Sequence, residues 1–282
     1  MVLEHIISTQ RLERSPYLIL FISFIFVSFA VFLTHYFYPN DHGMVVILLT
    51  ILPAIPFFLN FIRTEEQRHE VESGMRHNIF HIYKPLISLY IFFFIGTALS
   101  FAFWASILPI GVSDSMFSEL KAELSLVQGA VTPPALTYAG SPFEFILTRN
   151  LLVFALMILF SFIYSIGSIF LLTWNAALLG MFMEQSVRTQ MLLISQQFGL
   201  FAYPVAFVMG SVAGLLSVLP HGIFELSAFF IASLAGGILS VALERGTYRR
   251  QCFWCIIQDA SKLFILALVL LVIGAAIEGL YA

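Results

Sequence analysis

Charge is what this sequence has least of. Asp, Glu, Lys and Arg make up 10% of its 282 residues, where a soluble globular domain carries about a quarter. A water-facing surface of ordinary extent cannot be built from so few. Cysteine is almost missing too, and two residues cannot form the disulfide framework of a small secreted scaffold. The 13 Lys and Arg residues nowhere line a groove interleaved with aromatics, which argues against nucleic acid as a partner. No phosphate-cradling glycine loop, no Ser/His/Asp constellation, no low-complexity tract and no internal repeat stands out, and no cofactor is indicated.

What is there is apolar. Hydrophobic residues make up 60% of the chain, Phe alone occupies 31 positions, and the mean hydropathy is +0.96. This composition specifies an all-α, polytopic transmembrane bundle in a single membrane domain, 1–282, with the lipid bilayer as its first partner. The polar start, MVLEHIISTQRLERS, leads into an apolar run without an early small-residue cleavage site, so that run reads as a retained span.

Seven membrane segments follow from the hydropathy pattern. The first runs from Pro16 to Phe37 and the second from Gly43 to Phe61, where Pro53 and Pro56 each remove a backbone donor and are expected to kink the helix. Together they form a two-span extension, 1–62. The polar stretch 63–84 reads as a loop, and the third span runs from Pro85 to Leu108. Segment 110–141 is the largest piece outside the membrane, and Phe117, Leu120, Leu124 and Val127 fall on one helical stripe within it. Such a helix either lies on the bilayer or packs on the spans. Ser141, Pro142 and Glu144 fit a capping box, and the pattern then stays apolar to Met183, with a bend marked at Gly167. Pro204–Leu219 is a short fifth span, about 24 Å against a hydrocarbon core of roughly 30 Å. Pro220–Leu243 follows at once, so Pro220 is expected at the tip of a tight hairpin. Six spans plus a re-entrant hairpin is the alternative count. The last span is Leu263–Tyr281.

With the N-terminus in the cytoplasm, 11 of the 13 basic residues lie inside, Arg188 among them, and only Lys121 and Arg149 lie outside. The reading is therefore a multi-pass cell-membrane protein with 63–84 cytoplasmic, 110–141 extracytoplasmic and the C-terminus outside. Five polar residues then share one level: Arg149, Asn150, His221, Glu225 and Glu278. Charges at membrane depth pair with one another or face a cavity. Three readings stay open for this layer: a structural cluster with Arg149 neutralising a glutamate, an ion, proton or small-solute site, or a metal site on His221 and Glu225, for which further ligands are lacking. Asn175, 25 residues beyond Asn150, is expected near the opposite edge, satisfying a backbone group. Gly210 and Gly214, and Ala232 with Gly236 and Gly237, present small surfaces for helix packing within one chain or in a homodimer. Cys252 and Cys255 have C-x-x-C spacing but no second pair, so two buried cysteines beside aromatics is the simpler reading.

These residues carry a resemblance. Asn150 opening an apolar helix, Gly167, Asn175 with Gly180, the run PHGIFEL from Pro220 through Gly222 and Glu225, then Ala232 and Gly236–Gly237, and the closing Ala276-Ile277-Glu278 together resemble the stage II sporulation protein M family. The likeness covers about 145–282 and more loosely the chain from Asn78 onward, which makes 142–282 the family-like core. It implies an integral membrane protein without assigned catalytic residues. Its sporulation member works with a pair of peptidoglycan hydrolases and is treated as a scaffold. The functional expectation is thus a scaffold or assembly factor with membrane or cell-envelope protein partners, with a membrane enzyme as the third reading. The alternative is a transporter or channel for an ion or small solute using the buried polar layer.

Overall fold

The computed structural model describes residues 15, 17–38, 43–72, 84–131, 142–163, 167–244 and 253–281. Among these residues all regular structure is helical. The helices are α1 (Tyr17–Phe37), α2 (Gly43–Glu72), α3 (Lys84–Ile107), α4 (Ile110–Met116), α5 (Ser118–Val131), α6 (Pro142–Ile163), α7 (Gly167–Phe198), α8 (Ala202–Glu244) and α9 (Phe253–Tyr281). A short 3-10 turn, Gly199–Phe201, joins α7 to α8. Six helical stretches are long and apolar enough to cross a bilayer, the longest being Ser168–Gly237, which comprises α7, the turn and most of α8. The protein is an all-α transmembrane bundle. Helices are the only open elements that satisfy their own backbone in hydrocarbon, and this accounts for the uniform secondary structure.

Residue pairings fix the helix directions. Asn150 meets Glu225, Met157 meets Ser233, and Ser161 meets Gly236. The sequence offset stays near 75, so α6 and α8 run parallel. Gly210 lies on Val187 and Gly214 on Met183, so α7 and α8 run antiparallel. It follows that α6 and α7 are antiparallel as well. Gly274 lies on Glu225 and Gly279 on Phe143, which sets α9 against both α8 and α6. On the other flank, Gly96 meets Leu20 and Ser23 while Trp104 donates to Ser28, so α1 and α3 are parallel. Gly180 meets Ala98 and Phe101, and Arg188 donates to the Ala105 carbonyl, so α3 and α7 are parallel too. The core between them is aromatic: Phe58, Tyr90, Phe93, Phe94 and Phe230 form one contiguous set of ring contacts.

Two expectations change here, with one physical cause. The apolar run 142–183 is not one long helix, because its two halves, α6 and α7, point in opposite directions. Conversely, residues 202–244 do not turn at Pro220, which lies inside one continuous helix. Proline in a helix removes a single backbone bond, to the carbonyl four residues earlier, and packed neighbours can hold the helix through it. Pro53 and Pro56 likewise lie inside α2, which continues through the polar residues to Glu72. The true reversal is at Gly199, whose φ of 52° is the one positive value among the described residues and suits glycine alone without strain. At 1.5 Å per residue α8 is about 64 Å long, roughly twice the hydrocarbon core, so part of it stands beyond a single crossing.

The redrawn topology moves Arg188. It sits on α7 next to the end of α3, with Glu184 beside it and Lys121 of α5 4.0 Å from Glu184. Arg188 and Lys121 therefore share a side, contrary to the expected split. Glu184 is 3% exposed, and a carboxylate so buried needs this cationic company. Lys121 also donates to Asp114 at 2.6 Å and holds that exposed carboxyl below the usual carboxylate range, chiefly through this hydrogen bond. The amphipathic stripe packs inward: Phe117 and Leu120 are fully buried and Leu124 nearly so, which anchors α5 on the bundle. Ser141, Cys252 and the side chains of Val127 and Cys255 lie outside the described residues.

A labelling experiment separates the two topologies. In a chain with both cysteines replaced by serine, Ser125→Cys and Gln196→Cys should react with an impermeant maleimide from the same face of the membrane. Reaction of the two positions from opposite faces would restore the hairpin at Pro220 and refute the arrangement described above.

A polar-lined cavity as candidate functional site

The reversal between α6 and α7 brings residues distant in sequence to one place. A cavity of about 380 Å³ lies between α3, α5, α6, α7, α8 and α9, within the size range of small-molecule sites. Its polar lining is Gln128 from α5, Arg149 and Asn150 from α6, Asn175 from α7, Ser217, His221 and Glu225 from α8, and Glu278 from α9. Phe94, Phe145, Phe182 and Phe229 supply aromatic walls. All five residues of the sequence-derived polar layer line this cavity. Asn175 joins them, although an unbroken helix would have carried it about 37 Å from Asn150. Its amide donates to the Leu171 carbonyl at 2.7 Å, one turn back on its own helix.

Glu225 is the centre of the site. It stands in the middle of α8, not at a helix start, and Asn150 donates to its carboxyl at 2.5 Å. The Glu278 carboxyl is within hydrogen-bonding reach on the other side. Three helices thus meet at one acid. Arg149 is not its partner. That guanidinium turns to Glu123 on the polar face of α5, and both side chains are about 30% exposed. The difference has a simple cause, since α5 packs beside the cavity and offers Arg149 a carboxylate that is less desolvated than Glu225. A second polar tie, Gln128 to Gln185 at 3.0 Å, links α5 to α7.

The seat for Glu225 is made by a residue absent from the sequence-derived set. A methyl group added at Gly274 would stand 2.6 Å from Glu225 Cγ and 3.3 Å from both the Glu225 nitrogen and the His221 carbonyl oxygen. Only glycine lets α9 approach α8 this closely. The available signal was its position one turn before Glu278, on the same helix face. Glu123 and Ser217 gave no such signal, because one is an ordinary polar-face residue and the other an ordinary membrane-helix serine.

The remaining small residues pack within the chain. Gly180 lies on α3, Gly210 and Gly214 lie on α7, and Gly236 lies on Ser161 of α6. Gly222 lines the cavity, Gly237 is buried, and Gly167 begins α7. Among the described residues no three of His, Cys, Asp and Glu gather as a metal site.

The profile of the family described as stage II sporulation protein M matches residues 89–282. The match begins inside α3 and takes in every helix that lines the cavity, while α1 and α2 lie before it. No curated protein and no solved structure matches significantly.

The geometry at Gly274 yields a stability test. Gly274→Ala should lower the melting temperature, with a loss of about 1–3 kcal/mol, the usual cost of overpacking a close contact. Adding Glu225→Ala removes the Cγ atom and should recover part of the loss. Strict additivity of the two changes in thermal melts would show that Gly274 does not seat Glu225.

Proposed function

The chain belongs to the stage II sporulation protein M family, and on that premise we propose that it is a membrane transport protein for an ion or small solute, with the Asn150–Glu225–Glu278 cluster as its binding centre. The observation that carries this reading is a small-molecule-sized cavity inside the bundle whose lining holds two carboxyl groups from different helices within hydrogen-bonding reach of each other. A scaffold needs no such space. Were the polar layer structural, Arg149 would be expected to neutralise Glu225, yet it pairs with Glu123. An intramembrane acid without a basic partner marks an ion or proton path more often than a packing element. Small residues do not favour a homodimer, because Gly210, Gly214 and Gly236 are occupied within the chain.

Charge supports an orientation as well. With Arg188 on the side of Lys121 and Arg149, the other ten of the 13 basic residues fall in the sequence before α1, from the end of the apolar part of α2 to the start of α3, and from the end of α8 to Lys262. The positive-inside rule then favours a cytoplasmic N-terminus, with α4, α5 and the α7–α8 turn outside.

Reconstitution tests the reading. Proteoliposomes loaded with a pH-sensitive dye should show proton movement above protein-free vesicles when a gradient of protons, Na⁺, K⁺ or an organic cation is imposed. Glu225→Gln and Glu278→Gln should each lower it by at least about tenfold, as loss of an essential charged group does. The same variants should keep their melting temperatures within a few degrees, since the change preserves shape. Flux equal in wild type and both variants, or no flux for any of these ions or for the organic cation named below, would return the protein to the scaffold class.

A further inference from the structure

We propose that the cavity takes a monovalent organic cation, an amine with an apolar or aromatic body, in exchange for one proton held between Glu225 and Glu278. This rests on the transport reading and names its substrate class. Four groups of titratable or charged character face Glu225: His221 on its own helix, Arg149 on α6, Glu278 on α9 and, through Arg149, Glu123 on α5. Arg149 and Glu123 cancel each other. Helix α7 contributes Asn175 and α3 contributes Phe94, neither of which titrates. The carboxyl pair therefore sets the sign of the site.

Two carboxyl groups in hydrogen-bonding reach hold one proton between them more readily than two full charges. The pair with its proton carries a single negative charge, and exchanging that proton for one monovalent cation leaves the net charge of the site unchanged. When a cation enters, the shared O–H bond breaks, the proton leaves to water, and both carboxylates face the new charge. Asn150 keeps Glu225 in place, because its amide donates to the carboxylate in either state.

The walls decide between organic and inorganic cations. Phe94, Phe145, Phe182 and Phe229 offer ring faces and edges, which attract a weakly hydrated ammonium by its charge and its alkyl or aromatic body by burial. A small metal ion would surrender its water to a largely apolar lining and recover little. An anion meets two acids and no free guanidinium.

The test uses the full-length protein in mild detergent and titration calorimetry with three probes: benzyltrimethylammonium, phenylacetate and sodium chloride. Runs in two buffers of different ionisation heat count the protons released. The expected result is saturable binding of benzyltrimethylammonium with about one proton released near neutral pH, and neither phenylacetate nor sodium competing. Glu278→Gln should weaken binding by about tenfold or more and abolish proton release. Ser217→Phe, which fills the cavity and leaves both acids, should abolish binding and serves where the Gln variant does not fold. Equal binding of phenylacetate, unchanged affinity in Ser217→Phe, or binding without proton release overturns the proposal. Cation binding with proton release but no flux in vesicles leaves this assignment standing and overturns only the transport reading. Proton flux without cation binding does the reverse.

Discussion

Everything around the cavity depends on the uninterrupted packing of α8. One helix runs from Ala202 to Glu244, and three neighbours approach it closely at glycine contacts: α7 at Gly210 and Gly214, α6 at Gly236, and α9 at Gly274. Without a hydrophobic driving force between helices in lipid, close contact is supplied by small residues and by buried polar bonds. Here both are present on one helix. The same contacts that bring α6 and α9 against α8 bring Asn150 and Glu278 to Glu225.

The polar groups sort into two sets with different chemistry. Lys121, Asp114, Glu184 and Arg188, with Arg149 and Glu123, are ion pairs that tie α4 and α5 to α6 and α7. Each cation in them has an acid beside it, so their net charge is small and their role is to hold position. Glu225 and Glu278 stand apart, as acids inside the bundle whose contacts are Asn150 and each other. Helix α5 separates the sets: its buried Phe117, Leu120 and Leu124 fix it to the bundle, and its Glu123 removes Arg149 from the cavity's charge balance. An amphipathic segment whose stripe fitted either the bilayer surface or the spans is thus a wall of the site.

Misreading the two apolar runs had compensating effects. A single helix over 142–183 and a hairpin at Pro220 produce the same alternation of loops as an α6–α7 reversal and a straight α8. Only the residues between the two turns change sides, and Arg188 is among them. The run through Tyr164, Ser165 and Ile166 carries no charge and no proline, so hydropathy had nothing to register there. Pro220 carried the stronger local signal and the weaker structural effect, because a bundle tolerates one lost backbone bond.

The sequence by itself determined the class of the protein, the membrane segments away from these two turns, and the grouping of five polar residues that line one cavity. Burying Arg149, Asn150, His221, Glu225 and Glu278 in lipid-facing positions is too costly, so their grouping followed from composition and depth alone. Only the tertiary structure decided who pairs with whom. Partner choice depends on helix direction, which composition does not encode, and on close approach at single positions such as Gly274. Reversing α7 brought Asn175 to Asn150's cavity and Arg188 to Lys121's side, and packing α5 inward gave Arg149 to Glu123 and left Glu225 to Asn150 and Glu278. A pattern along one helix reports which face is apolar; which neighbour meets that face is settled by packing among all the helices at once.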